Sequence, residues 1–249
     1  MIEFQFIKVY LDVINPNFGG LKLKHFIIIL STIALFLGLT GLASAEPSLY
    51  GPSGLILNPT ADIATPESAW IGVNNLSWDE EGLDSSIWTY TLTVGVSEEM
   101  ELGAMGLYAS DADDGFSLNA KYLLIVEDEE MPSIAAGFTY SDITDGQIST
   151  FYLVASKYFM ADDIDINKAM SAHGGVCYRT GDAIEEEWDF WGGVDFNLSE
   201  KIIGIVEYSD DEEGIDGLVF GVRYYANETW TAQAGMIDGN LIIGSSYIF

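Results

Sequence analysis

Residues 240–249, Asn-Leu-Ile-Ile-Gly-Ser-Ser-Tyr-Ile-Phe, contribute most to the assignment of the fold. Side chains of a β-strand alternate between two faces, so those at every second position share a face. The residues on one face are Leu241, Ile243, Ser245, Tyr247 and Phe249. The stretch therefore predicts a strand with one apolar, aromatic face, which a membrane or a protein core would cover.

A final aromatic residue, with a second aromatic two positions earlier, is typical of the last strand of a bacterial outer-membrane β-barrel. In such proteins the barrel assembly machinery reads this strand, so Tyr247 and Phe249 are the expected assembly signal. The alternative is a last strand buried in the core of a soluble protein. The pattern concerns fold and location, and it names no reaction.

Three stretches precede the predicted strands: basic residues, then an apolar run, then small residues. Lys22 and Lys24 come before the apolar run 26–42, which leads into Ala43-Ser44-Ala45. This order is that of a secretory signal peptide, so we expect residues 21–45 to be removed by cleavage after that triplet. A retained membrane anchor is the alternative, because the run approaches the length that spans a bilayer.

The rest of the chain divides into three parts. Residues 1–20 do not fit a signal peptide and are interpreted as an upstream extension from a misassigned start, with translation beginning near Leu21 or Leu23. Residues 46–67 are a turn-rich lead-in, because Gly and Pro recur in them. Residues 68–249 form the expected barrel domain.

The composition limits the partners of the chain. Its formal charge is −30, with 39 acidic residues against 9 basic ones, which argues against nucleic acid and anionic lipid as partners. An aromatic share of 13% and 26 glycines still allow an ordered β structure. Cys177 is the only cysteine, so neither an internal disulfide nor a cysteine-based metal site is expected.

The region after residue 67 alternates with a period of two. In the stretch 87–96, Trp88, Tyr90 and Leu92 face one way, while Thr89 and Thr91 face the other. The same alternation recurs at 133–141, 188–196 and 218–225. A lipid-facing wall needs the aromatic set, and a wet or tightly packed lumen accepts the other.

The alternation predicts twelve strands, which is an even number as single-chain outer-membrane barrels require. The predicted fold class is all-β, an antiparallel transmembrane up-and-down β-barrel of about twelve strands. A soluble β-sandwich is the alternative, because it gives the same alternation with its aromatics in a core. The predicted strands are 68–77, 86–96, 100–109, 115–126, 132–141, 148–160, 171–180, 188–197, 202–209, 217–226, 230–237 and 240–249.

The connections between strands suggest an orientation. With both chain ends in the periplasm, the odd-numbered connections face outward, and they carry the acidic clusters 79–81, 111–114, 142–145, 182–187 and 210–213. Even-numbered connections are tight at 97–99, 197–200 and 227–229, whereas 127–131 and 161–169 depart from that rule. We therefore expect long outward loops and short periplasmic turns.

Charged residues inside strands are expected to point into the lumen. Buried charges must pair, and the excess of acids predicts a lumen that favours cations if it conducts. Large side chains such as Trp191 and Tyr225 can also fill a narrow lumen. The candidates for the inward face are Glu101, Lys121, Lys157, Arg179, Asp189, Asp195, Glu207 and Arg223.

Six tryptophans lie mostly near predicted strand ends, where aromatic girdles meet the two membrane interfaces. Ordinary core packing is the alternative for each of them. They are Trp70, Trp78, Trp88, Trp188, Trp191 and Trp230.

The sequence offers little catalytic chemistry. His173 has Ser171 two positions away on the same strand face and Asp165 nearby in sequence, so a Ser–His pair is conceivable. A hydrogen-bonded histidine in the lumen or at its rim is the preferred interpretation. No cofactor is expected, and the acidic cluster at 111–115 lacks the full EF-hand pattern, so divalent cations are expected to bind weakly at most.

The lead-in resembles the YjbH-like outer-membrane proteins, which are associated with exopolysaccharide production. The resemblance rests on Leu-Tyr-Gly-Pro-Ser-Gly-Leu-Ile at 49–56 and Asn-Pro-Thr-Ala at 58–61, which open a barrel domain in that family. Further similar stretches are 121–124, 132–137, 152–159 and 244–249. This chain resembles a single, short and unusually acidic barrel domain of the family.

The resulting functional prediction is a non-enzymatic outer-membrane barrel involved in exopolysaccharide production or export. Outer-membrane lipid, the assembly machinery, and polysaccharide or export proteins are the partners that this role implies. Three alternatives stay open: a small cation-leaning pore, a lipid- or envelope-modifying enzyme that uses His173, and a secreted acidic β-sandwich.

Overall fold

The structure is a computed structural model, and it describes residues 45–80, 83–110, 114–143, 146–159, 170–210 and 217–249. The expected upstream extension and the signal peptide, apart from Ala45, lie outside the described residues. The side chain of Trp78 also lies outside them, as do parts of the acidic connections, including Asp111, Asp145 and Asp165. No helix in the described ranges is long and apolar enough to cross a membrane.

Twelve strands follow one another from Ala69 onward. They are β1 (Ala69–Glu80), β2 (Leu83–Ser97), β3 (Met100–Ala109), β4 (Gly115–Ile125), β5 (Ser133–Ile143), β6 (Gly146–Phe159), β7 (Met170–Gly181), β8 (Glu187–Ser199), β9 (Ile202–Asp210), β10 (Gly217–Tyr225), β11 (Trp230–Ile237) and β12 (Asn240–Ile248). Each is antiparallel to the next, and β12 pairs with β1, so the sheet closes on itself.

Closure decides between the two folds that the alternation allowed. The β1–β12 register runs from Trp70 opposite Ile248 to Ser77 opposite Leu241. A barrel without edges satisfies every strand's backbone groups, which lipid requires and an open sandwich does not provide. The predicted twelve-strand antiparallel barrel is confirmed, and the soluble β-sandwich is wrong.

The two faces of the wall differ as the period of two predicts. Thr89 and Thr91 are fully buried inside the barrel, whereas Trp88 on the opposite face is exposed. Large apolar side chains form an outward band that includes Leu118, Phe151, Leu153, Phe190, Phe220 and Ile243. Such a band is what hydrocarbon covers in a transmembrane barrel.

The two rims of the barrel carry aromatic pairs on the outer face. We call the end where β1 begins and β12 ends the near rim, and the opposite end the far rim. Near the far rim, Tyr178 packs on Trp188 with ring centroids 5.1 Å apart. At the near rim, Tyr247 lies 5.3 Å from Trp230 and 4.8 Å from Phe249 between ring centroids.

Two tryptophans expected in the girdles lie inside the barrel instead. Trp70 is 1% exposed and packs with Ala64 and Ile248, and Trp191 is 6% exposed. Trp191 covers Gly175, where an added β-carbon would lie 2.1 Å from its ring. The girdle interpretation of these two residues is therefore wrong, because their rings fill interior space that small wall residues leave open.

The expected difference in loop length between the rims holds only in part. The far rim has longer connections at 110–114, 182–186 and 211–216, and the near rim has two-residue connections at 98–99 and 200–201. At the far rim, however, β1–β2, β5–β6 and β11–β12 leave only two residues each between strands. The longest connections, 126–132 and 160–169, are at the near rim. Asp79 and Glu80 stay paired with β2, so this acidic cluster extends two strands rather than forming a long loop.

A charge in the middle of the outward band should destabilise the barrel. Leu153 lies on the outer face of β6, opposite Ala136 and Val176 of its neighbours. We expect Leu153→Arg to lower the free energy of unfolding in lipid vesicles by about 2–4 kcal/mol, because Arg at the bilayer midplane costs that much. Trp188→Arg, at the far rim, is the matched control and should cost less than about 1 kcal/mol. Equal costs in urea titrations would contradict a lipid-facing wall.

Candidate functional site: the occupied lumen

We call residues 45–68 the plug segment. Residues 45–61 are buried inside the barrel apart from the partly exposed Tyr50 and Pro59, and residues 62–68 lead to the near rim with Asp62 and Glu67 exposed. Leu49, Ile56 and Leu57 are each at most 1% exposed, and they pack against wall residues such as Ile205 and Val219. The segment folds back on itself through single bridges, Pro47 with Ser53 and Gly54 with Pro59. Its sequence predicts turns and extended backbone correctly, but does not indicate that the barrel encloses it.

Glu207 binds the middle of the plug segment through its backbone. Its carboxylate accepts hydrogen bonds from the amides of Ile56 at 3.0 Å, Leu57 at 2.9 Å and Asn58 at 3.2 Å. The Asn58 side chain donates a further bond at 3.2 Å. Hydrogen bonds to a charged group contribute about 1.5–3 kcal/mol each. Glu207, 1% exposed, is therefore a major anchor for the segment.

Glu101 and Lys121 hold the segment from another side of the lumen. Their side chains form an ion pair with 3.1 Å between Nζ and Oε1, and both are fully buried. Glu101 accepts bonds from the amides of Ser53 at 3.0 Å and Ala64 at 2.8 Å. Lys121 donates to the carbonyls of Ser53 at 2.8 Å and Thr60 at 3.1 Å. The pair is thus completed by the plug backbone, as a buried ion pair requires.

Arg223 is the third anchor. Its guanidinium pairs with the carboxylate of Glu46 at 3.1 Å and donates to the carbonyls of Gly54 and Leu55, the latter at 3.0 Å. Gln233, on the neighbouring strand, accepts two further bonds from the guanidinium. Burial raises the pKa of the Glu46 carboxyl, and the Arg223 charge acts against that rise. The fork of donors on Arg223 therefore fixes the start of the plug segment.

A chain of three side chains ends on the plug segment at Ala61. Ser156 Oγ lies 2.8 Å from His173 Nδ1, and His173 Nε2 lies 2.8 Å from Asp195 Oδ2. The Ala61 amide donates to Ser156 Oγ at 2.8 Å. The serine partner of the histidine is therefore Ser156 on β6 and not Ser171. The Ser156 oxygen is engaged by the plug backbone, which is a holding contact.

Small wall residues make room for the plug side chains. A β-carbon at Gly221 would lie 2.0 Å from Ile56 Cδ1, and one at Gly193 would lie 2.4 Å from Leu55 Cδ1. Distances this short leave no space for any other residue unless the plug moves. The two glycines therefore belong to the fit between wall and segment, a role that sequence periodicity does not reveal.

Seven of the eight expected lumen charges lie on the inward face. These seven are the plug anchors Glu101, Lys121, Glu207 and Arg223, together with Arg179, Asp189 and Asp195. Arg179 pairs with Asp189 at 2.7 Å and with Glu187. Lys157 is the exception, and its inward assignment is wrong. Ser156 points inward, so Lys157 lies on the opposite face, where it pairs with Glu127 at 3.3 Å and binds carbonyls of the β4–β5 connection.

A cavity of about 700 Å³ lies between the plug segment and the far rim, and we call it the vestibule. Its floor includes Leu49, Leu57 and Pro59 of the plug segment. Trp191 strengthens that floor, because its indole donates to the Pro59 carbonyl at 3.1 Å. Among the described residues, no group of three or more His, Cys, Asp or Glu side chains is arranged to hold a metal ion.

The closed barrel is similar to solved porins. The KdgM porin aligns with a TM-score of 0.54 at 14% identity, covering 72% of this chain and 99% of the porin. That porin in complex with disordered oligogalacturonate gives 0.52 at 13% identity, covering 72% and 99%. The NanC porin gives 0.51 at 8% identity, covering 71% and 98%. Identities this low show a shared fold alone.

No protein-family model matches the chain, and no curated protein matches it. The class that the architecture and the solved structures define is the porin-type outer-membrane β-barrel fold. The plug segment in the lumen is observed in this chain and is not inferred from the porins.

Proposed function

We propose that this protein is a non-enzymatic outer-membrane barrel whose passage is closed by its own plug segment. The near rim faces the periplasm, the far rim faces the medium, and the segment is the gate between them. The observation that carries this proposal is the set of lumen charges engaged with plug backbone. Glu101, Glu207 and Arg223 each contact at least two plug residues.

The wall charges bind the backbone of the plug segment, and these contacts hold the segment in place. Four charged wall residues, Glu101, Lys121, Glu207 and Arg223, bind amides and carbonyls that would otherwise be buried without partners. Removing one anchor leaves the plug backbone groups that it binds without partners. The closed state is therefore the ground state, and opening requires a partner or condition that supplies replacement contacts.

A non-enzymatic role is favoured over the use of His173 in catalysis. The contact between Ala61 and Ser156 covers the only serine that His173 touches among the described residues. An acyl substrate would have to displace the plug segment to reach that oxygen. The Ser–His–Asp chain therefore serves to hold the gate.

The finer role that we propose is in exopolysaccharide production or export. Its support is the resemblance to YjbH-like proteins, and the residues that carry it, 49–56 and 58–61, are the core of the plug segment. We propose that periplasmic export partners act on this segment through the near rim. The formal charge of −30 disfavours an acidic sugar such as the oligogalacturonate bound by the KdgM porin.

A small cation-leaning pore is the second candidate, and it applies to the open state. With the segment displaced, the inward wall presents Glu101, Asp189, Asp195 and Glu207 along with Glu187, against Lys121, Arg179 and Arg223. Acids outnumber bases in this set, so cations should pass more readily than anions.

The proposal is tested by planar-bilayer conductance of the intact protein and of Glu207→Gln. We expect the intact barrel to be closed, and the variant to open in bursts, because the amide cannot serve three plug amides as a carboxylate does. Glu187→Gln is the matched control, since it removes a charge near the far rim without touching the plug. An intact barrel that conducts steadily, or a variant that stays closed, would refute the gate.

The polysaccharide role has its own test in the source cell. Loss of the gene should lower surface polysaccharide, and the intact gene should restore it. Unchanged polysaccharide would refute that role while leaving the gated barrel standing.

A further inference from the structure

Five residues of the lumen wall lie in one row across the place where the sheet closes. Thr89 of β2 is opposite Asn74 of β1, and Asn74 is opposite Gly244 of β12. Gly244 is in turn opposite Gln233 of β11, and Gln233 is opposite Arg223 of β10. The four side chains of the row are all buried. The row therefore leads from the first two strands, across the closing strand, to the third plug anchor.

Gly244 allows the amide side chains on either side of it to meet. Gln233 Nε2 donates to Asn74 Oδ1 at 2.9 Å, although β12 lies between their two strands. A β-carbon at Gly244 would lie 1.9 Å from that Asn74 oxygen. Any side chain at this position would therefore have to displace Asn74 and break the bond. We call Asn74, Gly244 and Gln233 the clasp.

The direction of each hydrogen bond in the row follows from Arg223. A guanidinium only donates, so the Gln233 oxygen has to accept from it, at 3.2 Å from Nε and 2.9 Å from Nη2. The Gln233 nitrogen is left to donate to Asn74, whose own nitrogen donates to Thr89 Oγ1 at 3.4 Å. Each amide is thus held in one of the two orientations that an amide side chain can take. The clasp fixes the Gln233 oxygen in front of Arg223.

The Gln233 oxygen decides how Arg223 meets the plug segment. Arg223 donates to the Gly54 carbonyl from both Nη atoms and to the Leu55 carbonyl from Nη2. It pairs with Glu46 through Nη1. The Gln233 oxygen accepts from Nε and Nη2 of the same planar group, so its position sets the plane of the guanidinium. A tilt of that plane would weaken all the plug contacts of Arg223 together.

We infer that the clasp positions Arg223 for the plug segment, and that closure of the sheet sets this anchor. Asn74 is brought beside β12, and so within reach of Gln233, only when β1 pairs with β12. The clasp acts on the plug segment through Arg223, so its members are positioning residues of the gate. The inference rests on the proposed gate and adds to it the way in which one anchor is held.

The first test is the planar-bilayer conductance of single variants that have been shown to fold by their heat-dependent gel mobility. Gly244→Ala and Asn74→Ala should each raise the fraction of time that the barrel is open about three- to tenfold, the equivalent of one lost hydrogen bond. Gln233→Leu removes both acceptor contacts of Arg223 and should raise it more than about tenfold. Ser245→Ala is the matched control, because it changes the next residue of β12, on the outer face, and it should stay closed.

A double variant separates the clasp from a general disturbance of β12. In Asn74→Ala, the oxygen that a β-carbon at Gly244 would strike is gone. Adding Gly244→Ala to it should therefore change the open fraction less than about twofold, because the two changes break the same bond. An alanine that merely disturbs the strand would add its full effect. A double variant that is open at least threefold more than Asn74→Ala would overturn the inference.

A second measurement reports on the seating of the plug segment whether or not the barrel conducts. Ser48 is fully buried in the segment, and its hydroxyl has no partner among the described residues, so a cysteine should be tolerated there. In a Cys177→Ser background, Ser48→Cys should react slowly with a membrane-impermeant thiol reagent. Adding Gly244→Ala or Gln233→Leu should speed that reaction at least threefold, whereas adding Ser245→Ala should not.

The outcomes distinguish the clasp from the gate. If Glu207→Gln opens the barrel while folded Gly244→Ala and Gln233→Leu change neither the conductance nor the thiol reaction, the inference is overturned and the gate stands. An intact barrel that conducts steadily refutes the gate instead. The thiol reaction then decides on the clasp alone, and equal rates with and without Gln233→Leu would overturn it.

Discussion

A barrel that lacks residues 46–64 should conduct ions across a planar bilayer, whereas the intact barrel should stay closed. The deletion removes the groups that fill the lumen, including Leu49, Ile56 and Leu57, while leaving every strand in place. We expect the current to rise from the baseline to a steady open level, with a preference for cations.

The deletion has a direct control. A synthetic peptide of residues 46–64 added on the near-rim side should close the shortened barrel again, because the anchors on the wall remain. A scrambled peptide of the same composition should have no effect. A shortened barrel that folds but does not conduct, or that both peptides block equally, would contradict a specific plug.

Lys121→Met should produce the largest loss of stability among single substitutions in the lumen. The change leaves Glu101 as an unpaired, fully buried carboxylate, and it also removes donors to the Ser53 and Thr60 carbonyls. Breaking a buried pair by removing one partner costs about 3–5 kcal/mol. We expect that loss in the free energy of unfolding, measured by urea titration in vesicles with the heat-dependent gel shift as readout.

Two further variants separate burial from charge. Lys157→Met breaks the half-exposed pair with Glu127 and should cost less than about 1 kcal/mol. The double variant Lys121→Met with Glu101→Gln removes the unpaired charge and should recover part of the loss. A Lys121→Met variant no less stable than Lys157→Met would contradict a buried pair at the plug.

The strand pattern made the barrel predictable because side chains that face lipid must be apolar, whereas the alternate side chains that face the lumen can be polar. In β2 these demands separate Trp88 from Thr89 and Thr91, and the face of each residue follows directly. In β6 both faces are apolar, with Tyr152 inside and Leu153 outside, so alternation did not show which way Lys157 points. Similarly, aromatics occur on both faces of β8, which hid the inward position of Trp191.

The plug was not predictable because it depends on contacts between distant parts of the chain. The bond from the Leu57 amide to Glu207 joins residues 150 positions apart, and the bond from Arg223 to Glu46 joins residues 177 positions apart. Periodicity reports only on neighbours within a strand. The seven charges that do face the lumen were nonetheless a partial signal, since buried charges without mutual partners require something else to bind.

The most direct test of the closed, plugged barrel is a disulfide between the plug and the wall. The Ala61 amide lies 2.8 Å from Ser156 Oγ, which leaves these two positions near each other. In a Cys177→Ser background, Ala61→Cys with Ser156→Cys should form a bond that mass spectrometry detects in the folded, membrane-embedded protein. Ala61→Cys with Ser141→Cys, near the far rim, should not. Free thiols in the first pair, with the barrel folded, would contradict a plug segment inside the lumen.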